Sequence, residues 1–277
     1  KLVSIGNKAD IDELAMIRAL GEDPDTNVIA GYLETISDGD DFIRQAEKFS
    51  RKKPILLMKS GTTEAGAEAA SSHTGRLAGM DSAYECVFER AGVIRCDSIK
   101  LQFDYAKAFA YQPCPEGSKV AIIANAGGAV FMSTDAIDRE GLHLTQFTDK
   151  TRKILAESPI MSRVANLNNP IDLLGDALAD RYEFALRTVT EDSNVDTVLV
   201  LLSPHAMTEC EGTAEAIVRV AKDIIGKPIL ACFLGASRVA DAVDILRRGH
   251  IPQYESPESA IRTIKVMNRY AQWRSRP

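Results

Sequence analysis

Long apolar runs are missing. No stretch approaches the roughly 20 residues that a membrane-spanning helix needs, and the first residues do not read as a signal peptide. A cytoplasmic protein with no membrane partner is therefore expected. Basic excess is missing as well. Asp and Glu number 39 against 33 Lys and Arg, and the resulting net charge of −6 argues against nucleic acid as a partner. The five cysteines, Cys86, Cys96, Cys114, Cys210 and Cys232, show no CxxC spacing and read as reduced, mostly buried thiols. His143, His205 and His250 share no metal-ligand spacing with a second donor, so no resident metal is expected. A Walker loop, a Gly-x-Ser-x-Gly elbow and a His-Glu-x-x-His helix are all absent.

What is present is the composition of a globular protein, 45% hydrophobic and 26% charged, in 277 residues, enough for two domains. Its most unusual stretch follows the apolar run Pro54-Ile55-Leu56-Leu57-Met58, which reads as a buried strand. From Lys59-Ser60-Gly61-Thr62-Thr63 to Leu77-Ala78-Gly79 lie about twenty residues rich in Gly, Ala, Ser and Thr, a length uncommon for a connection in a compact α/β domain. One imidazole, His73, stands among them. Small neighbours leave the ring room to move and let backbone N–H groups approach an anion. A histidine is also a good nucleophile near neutral pH. From composition alone, a surface loop whose histidine merely hydrogen-bonds accounts for the stretch equally simply.

The segment Ala69-Ala70-Ser71-Ser72-His73-Thr74-Gly75, followed by Leu77-Ala78-Gly79, resembles the phosphohistidine loop of the NDP-forming acyl-CoA synthetases, relatives of succinyl-CoA ligase. The resemblance implies that His73 is phosphorylated and carries the phosphoryl group between two sites, with Ser72 lining the site.

Strand and helix patterns alternate along the chain. Leu2–Ile5 reads as a strand, and Ala9–Gly21 as a helix with Asp10 as N-cap. The strand Asn27–Leu33 and a helix from Asp38 to about Arg51 come before the strand that ends at Met58. Asp81–Ala91 reads as a helix, Val93-Ile94 as a short strand and about Ser98–Tyr111 as a helix. The break Pro113–Gly117 then marks a boundary between domains at 1–112 and 117–277. The second half opens with the strand Lys119–Ala124, whose turn Asn125-Ala126-Gly127-Gly128 leads straight into a helix. Strands at Leu142–Phe147, Thr197–Leu202, Pro228–Phe233 and Ile251–Gln253 alternate with helices to about Gln272. The expected fold is α/β, with two flavodoxin-like, doubly wound parallel-sheet domains.

The halves repeat one another. Asp25-Thr26-Asn27-Val28 resembles Asp192-Ser193-Asn194-Val195, and Lys53-Pro54-Ile55-Leu56 resembles Lys227-Pro228-Ile229-Leu230; each opens a strand. The first half has no counterpart of the strand, Gly-rich turn and helix at Lys119–Gly141. It is therefore expected to be truncated at its N-terminus, with the leading part upstream. The resemblance implies the same, placing a CoA-binding domain before residue 1.

Three further groups are candidates. Glu34 follows a strand at its carboxyl end, where a carboxylate can hold the Nδ1–H of a histidine and leave Nε2 free. The resemblance to succinyl-CoA ligases assigns it that contact with His73. Asn125, Gly127 and Gly128 lie between a strand end and a helix N-terminus, a place suited to phosphate. The family usually has Pro-Gly after the paired glycines, where Ala129-Val130 stands here. Asp172 and Asp176, in a segment resembling the family's Asn-Pro-Val-Asp-Leu-x-Gly-Asp, either line the site or cap the turn. His205, after Ser203-Pro204, is a further strand-end residue.

The resemblance implies a ligase that interconverts acyl-CoA, phosphate and ADP with free acid, CoA and ATP. Its substrates would include coenzyme A, a small organic acid and ADP/ATP with Mg2+. Its partners would be the upstream CoA-binding domain and an ATP-grasp domain or subunit, in an oligomer. Two other readings stand beside it: a ligase-like regulatory module fused to a protein acetyltransferase, and a non-enzymatic phosphate- or nucleotide-sensing module.

Overall fold

The computed structural model describes residues 1–6, 8, 10–36, 38–63, 65–66 and 81–276. The chain divides into two compact units, Lys1–Ala110 with Gln272–Pro277, and Tyr111–Ala271.

The first unit contains α1 (Glu13–Glu22), β1 (Ile29–Leu33), α2 (Gly39–Ser50), β2 (Ile55–Lys59), α3 (Asp81–Ala91), β3 (Ile94–Arg95) and most of α4 (Ile99–Tyr111). The strands are parallel in the order β1-β2-β3, with Ile29 opposite Ile55 and Leu33 opposite Lys59. The apolar run of β2 is buried on both faces, as expected for a parallel strand. One side packs on Leu14, Ile17, Phe42, Ala46, Phe49 and Phe88. On α4, the Gln102 amide donates to the carbonyls of Gly31 and Leu56. Gly21 lets helices meet: a Cβ there would lie 2.3 Å from the Phe49 ring.

Two expectations fail in this unit. Leu2–Ile5 is not a strand; Leu2 and Val3 are 99% and 54% exposed. A strand in that position needs a parallel neighbour, and the described residues of this unit offer none. The first helix starts at Glu13, not Ala9, and its N-cap is Asp12, whose carboxylate accepts from Ala15 N at 2.8 Å. Lys8, at φ 58°, has turned the chain away from helical geometry before Asp10 is reached.

The second unit contains β4 (Lys119–Ala124), α5 (Gly127–Arg139), β5 (His143–Leu144), α6 (Asp149–Glu157), β6 (Ile171–Asp172), α7 (Ala179–Thr190), β7 (Thr197–Leu202), α8 (Cys210–Asp223), β8 (Ile229–Phe233), α9 (Ala240–Arg248) and most of α10 (Pro257–Arg274). Its five strands are parallel in the order β5-β4-β7-β8, with β6 also on β4. The flavodoxin-like α/β expectation holds. Both faces of the sheet are buried, one by α7, α8 and α9, the other by α5 and α10. The expected strand at Ile251–Gln253 is a single bridge, Ala231 to Gln253, because Pro252 has no N–H with which to extend a ladder. The repeated Lys-Pro pairs make the same bonds. The Lys53 ammonium donates to the carbonyls of Leu20 and Asp23 after α1, and that of Lys227 to Thr190 and Asp192 after α7. All five thiols are free. Cys96, Cys210 and Cys232 are buried, and burial pushes Cys96 and Cys232 up to about 12, so they stay protonated. Cys86 departs from the expected burial and is exposed, because α3 turns Phe88 and Ala91 inward instead.

The edge of β4 is completed by a side chain. β5 pairs with Lys119 and Val120, β6 with Ile123 and Ala124, and between them Asn169 acts as a missing piece of strand. Its Oδ1 accepts from Ile122 N at 2.9 Å; its Nδ2 donates to the carbonyls of Val120 at 2.8 Å and Thr145 at 2.9 Å. Removing the amide leaves a buried N–H and a buried C=O unpaired. Asn169→Leu is expected to cost about 2–4 kcal/mol of the second unit's stability. That corresponds to a midpoint lower by roughly 5–15 °C in thermal unfolding. A change under about 1 kcal/mol would show that the amide is not needed.

Candidate active site

Parallel pairing puts the carboxyl ends of all strands of a sheet on one edge, where helix N-termini and loops are free to bind ligands. Each unit has such an edge, and the candidate residues fall on them.

In the first unit, Ser60 N donates to Leu33 O at 3.0 Å, so the ends of β1 and β2 stay side by side for one residue beyond the strands. Glu34 follows β1 there. It is half-buried, and among the described residues its carboxylate makes no hydrogen bond or ion pair. The chain beside it is clamped: the buried Lys8 ammonium pairs with Glu13 at 2.8 Å and donates to the carbonyl of Thr35. Lys59 closes β2. It is 7% exposed, donates to the carbonyl of Ser60 and lies 4.6 Å from the centre of the Tyr84 ring. Burial pushes its ammonium below the usual lysine range; Asp81 and Glu34 oppose that shift, whereas Arg95 and Lys8 add to it. The Asp81 carboxylate itself is held by Arg95 at 2.8 and 3.0 Å, and Arg95 also holds Glu85 at 2.9 Å. Among the described residues the buried Ser60 hydroxyl has no partner. His73 and Ser72 lie outside the described residues.

In the second unit, α5 begins at Gly127 directly after β4. Its N-cap, Ala126, supplies no side-chain hydrogen bond, and among the described residues no other side chain accepts from the first N–H groups of the helix. Gly127 and Gly128 are not there for packing. A Cβ at Gly127 would come no closer than 3.9 Å to Phe131, and one at Gly128 would meet nothing within 4 Å. Asn125 has a different place from the one its position suggests. Its side chain is 2% exposed, accepts from Ser203 N and donates to Ser203 O, both at 2.9 Å, and reaches Thr208 Oγ1 at 3.4 Å. It joins the ends of β4 and β7, which leaves the backbone, not the amide, for a ligand.

Asp172 and Asp176 are engaged in shaping their own loop. Asp172 Oδ1 accepts from the N–H of Leu174, which sits at φ 71°. Arg181 donates to Asp176 at 2.9 Å and to Leu173 O at 2.8 Å, and its guanidinium holds the Asp176 carboxyl below its ordinary value. The His205 ring stands beside this loop, 3.4 Å from where a Cβ on Gly175 would lie, and is exposed at the same edge. Among the described residues no group of three or more His, Cys, Asp or Glu is placed to hold a metal ion. None of the helices described is long and apolar enough to cross a membrane. Sequence reasoning passed over Lys59 and Ser60. Their signal was a lysine ending an otherwise apolar strand, directly before a Ser-Gly turn.

The chain has relatives among known proteins. Residues 1–109 match the succinyl-CoA ligase like flavodoxin domain, and residues 120–276 match the ligase-CoA domain. The chain belongs to the succinyl-CoA-ligase-like CoA ligases. The chain is 38% identical over 271 residues to ADP-forming acetate–CoA ligase I of Archaeoglobus fulgidus, covering 98% of its own length and 38% of that protein. It is 36% identical over 276 residues to the alpha subunit of ADP-forming acetate–CoA ligase I of Pyrococcus furiosus, covering 99% of itself and 59% of the subunit. It superposes with a TM-score of 0.92 and 36% identity on the acetyl-coenzyme A synthetase 1 of Ca. Korarchaeum cryptofilum, solved in complex with phosphate and ADP, again covering 99% of itself and 59% of that chain. The chain thus spans well under two thirds of the length of these relatives.

The Asn125 geometry generates a separable prediction. Asn125→Ala removes a buried bridge and is expected to lower stability by about 2–3 kcal/mol, read by chemical denaturation. Stability unchanged within about 0.5 kcal/mol would show that the amide does not tie β4 to β7.

Proposed function

We propose that this CoA ligase converts acyl-CoA, phosphate and ADP into free acid, CoA and ATP through an acyl phosphate and a phosphorylated His73. The observation that carries the reading is the shared carboxyl end of β1 and β2, where Ser60 N donates to Leu33 O and Glu34, without a partner among the described residues, follows β1. In the sequence, the stretch that contains His73 begins at this end of β2. The names of the relatives, which are ADP-forming acetate–CoA ligases, support it.

The chemistry then runs in three balanced steps. A phosphate oxygen attacks the thioester carbonyl; the C–O bond forms, the C–S bond breaks, and CoA leaves as its thiol. The Nε2 of His73 attacks the phosphorus of the acyl phosphate; the P–N bond forms and the acid leaves as its carboxylate. The terminal oxygen of ADP attacks the same phosphorus, the P–N bond breaks, and neutral imidazole returns. Glu34 accepts the Nδ1–H of His73, which fixes the ring and stabilises the positive charge of the phospho-imidazole. The N–H groups of Gly127 and Gly128 bind phosphoryl oxygens at the positive end of α5. Mg2+ accompanies the nucleotide and offsets its phosphate charge. A CoA-binding domain and an ATP-grasp domain or subunit supply the remaining substrate contacts, and the protein works in the cytoplasm.

A phosphoramidate is labile in acid and survives base. In the complete enzyme, labelled ATP with Mg2+ is expected to leave an acid-labile label that ADP discharges. His73→Asn abolishes the label and the overall reaction together. Glu34→Gln lowers labelling about tenfold to a hundredfold, the usual effect of a residue that orients a reacting group. It leaves the unfolding midpoint in place, because the carboxylate has no partner among the described residues. Acid-labile phosphate in His73→Asn would overturn the reading.

Gly128→Ala tests the helix N-terminus. The added methyl meets nothing, so stability holds or rises slightly. The KM for phosphate is expected to rise about tenfold, because the backbone can no longer approach the anion. An unchanged KM would remove Gly128 from the site.

A further inference from the structure

Lys59 has the environment of a ligand-binding cation. A lysine this buried is ordinarily paired. Among the described residues no carboxylate lies within ion-pair distance of it, and its contacts are one carbonyl and one aromatic face. The carboxylates around it are otherwise engaged, Asp81 and Glu85 by Arg95 and Glu13 by Lys8. Glu34 acts on it only at longer range. An ammonium has three donors, and one is accounted for by the Ser60 carbonyl.

Ser60 carries the second unmet requirement. Its hydroxyl is buried without a partner among the described residues, on the very residue whose carbonyl the ammonium reaches. Burying a donor and leaving it unbonded costs about 1–3 kcal/mol. Two consecutive residues at a strand's carboxyl end therefore both have unmet hydrogen-bonding capacity. Burial holds the ammonium below its ordinary range, and a bound anion would restore it. Glu34 limits what that anion can be. A multiply charged group brought to this edge is repelled by the Glu34 carboxylate, and only a cation beside it makes the approach favourable.

We infer that Lys59 and Ser60 form the subsite for the oxygens of the phosphoryl group in the first unit, the ammonium and the hydroxyl both donating to them. The inference rests on the proposed phosphoryl transfer and adds to it the residues that neutralise the phosphate next to Glu34. In this arrangement Glu34 serves the imidazole and Lys59 the phosphate, so both opposite charges are needed at one edge.

The test is titration of inorganic phosphate into the complete enzyme, read by calorimetry. Lys59→Met keeps the length of the stem and removes the charge; it is expected to weaken phosphate binding about ten- to a hundredfold. Lys59→Arg recovers part of that loss. Ser60→Ala deletes only a hydroxyl that has no partner among the described residues, so the protein folds as before and binding weakens about three- to tenfold. In turnover assays the KM for phosphate rises while the KM for ADP stays put. Phosphate affinity within twofold of wild type in Ser60→Ala and in any folded Lys59→Met protein would overturn the subsite. If Lys59→Met fails to unfold cooperatively, Ser60→Ala decides alone. The result is independent of the relay: ligase activity surviving in His73→Asn would end the phosphohistidine reading while leaving these affinities as measured.

Discussion

Parallel hydrogen bonding is the constraint from which the rest follows. Once β1 aligns with β2, and β4 with β7, every strand must finish on the same edge of its sheet. In each sheet this edge collects groups that find no side-chain hydrogen-bond partner among the described residues: in the first unit the carboxylate of Glu34, the ammonium of Lys59 and the hydroxyl of Ser60, in the second the first N–H groups of α5. The opposite edge shows the contrast. There Lys53 and Lys227 hydrogen-bond to the carbonyls that end α1 and α7, and their charges are fully engaged. Two kinds of lysine thus sit at the two ends of β2, Lys53 fastening the fold and Lys59 kept available.

Three cations near the strand ends of the first unit, Arg95, Lys8 and Lys59, make the same distinction. Arg95 grips two carboxylates, and its guanidinium is held above its usual range by them. Lys8 is paired with the buried Glu13. Both hold backbone or helix in place around the strand ends. Such pairs add modestly to stability, because removing charges from water offsets most of their attraction. What they do supply is geometry: α3 and the chain after Glu34 cannot drift from the edge while both pairs hold.

The alternation of helices and strands was legible because each buried strand is a short apolar run, as in Ile55–Met58 and Thr197–Leu202, bounded by Lys-Pro or Gly. The repeat was legible for a similar reason, since Lys53-Pro54 and Lys227-Pro228 hold matching register positions. Leu2–Ile5 misled because a strand pattern is only half of a strand, and its pairing partner is a long-range fact. The first helix misled because Asp10 and Asp12 are equally good caps by type, and the backbone at Lys8 decides between them. On the site, Glu34 and the Gly127–Gly128 turn could be placed from their position after strands. Asn125, Asp172 and Asp176 could not be separated from ligand-binding residues, since the same side chains that bind phosphate also close loops. The local sequence does not say which of the two they do.

Asn169 sets how this architecture can vary. The stretch between Thr145 and Asn169 carries α6 and a long loop, yet the edge of the sheet is registered by one amide that bonds to Val120, Ile122 and Thr145. Residues inserted into or deleted from the part of that stretch before Asn166, whose carbonyl accepts from Asp172 N at 2.9 Å, leave the amide free to find the same three groups. A single residue inserted between Asn169 and Ile171 would pull β6 out of step with Ile123 and carry the Asp172–Asp176 loop with it. Length variation is therefore tolerated on one side of Asn169 and forbidden on the other, so this part of the molecule can lengthen, shorten or be replaced across evolution while the loops at the strand ends keep their places.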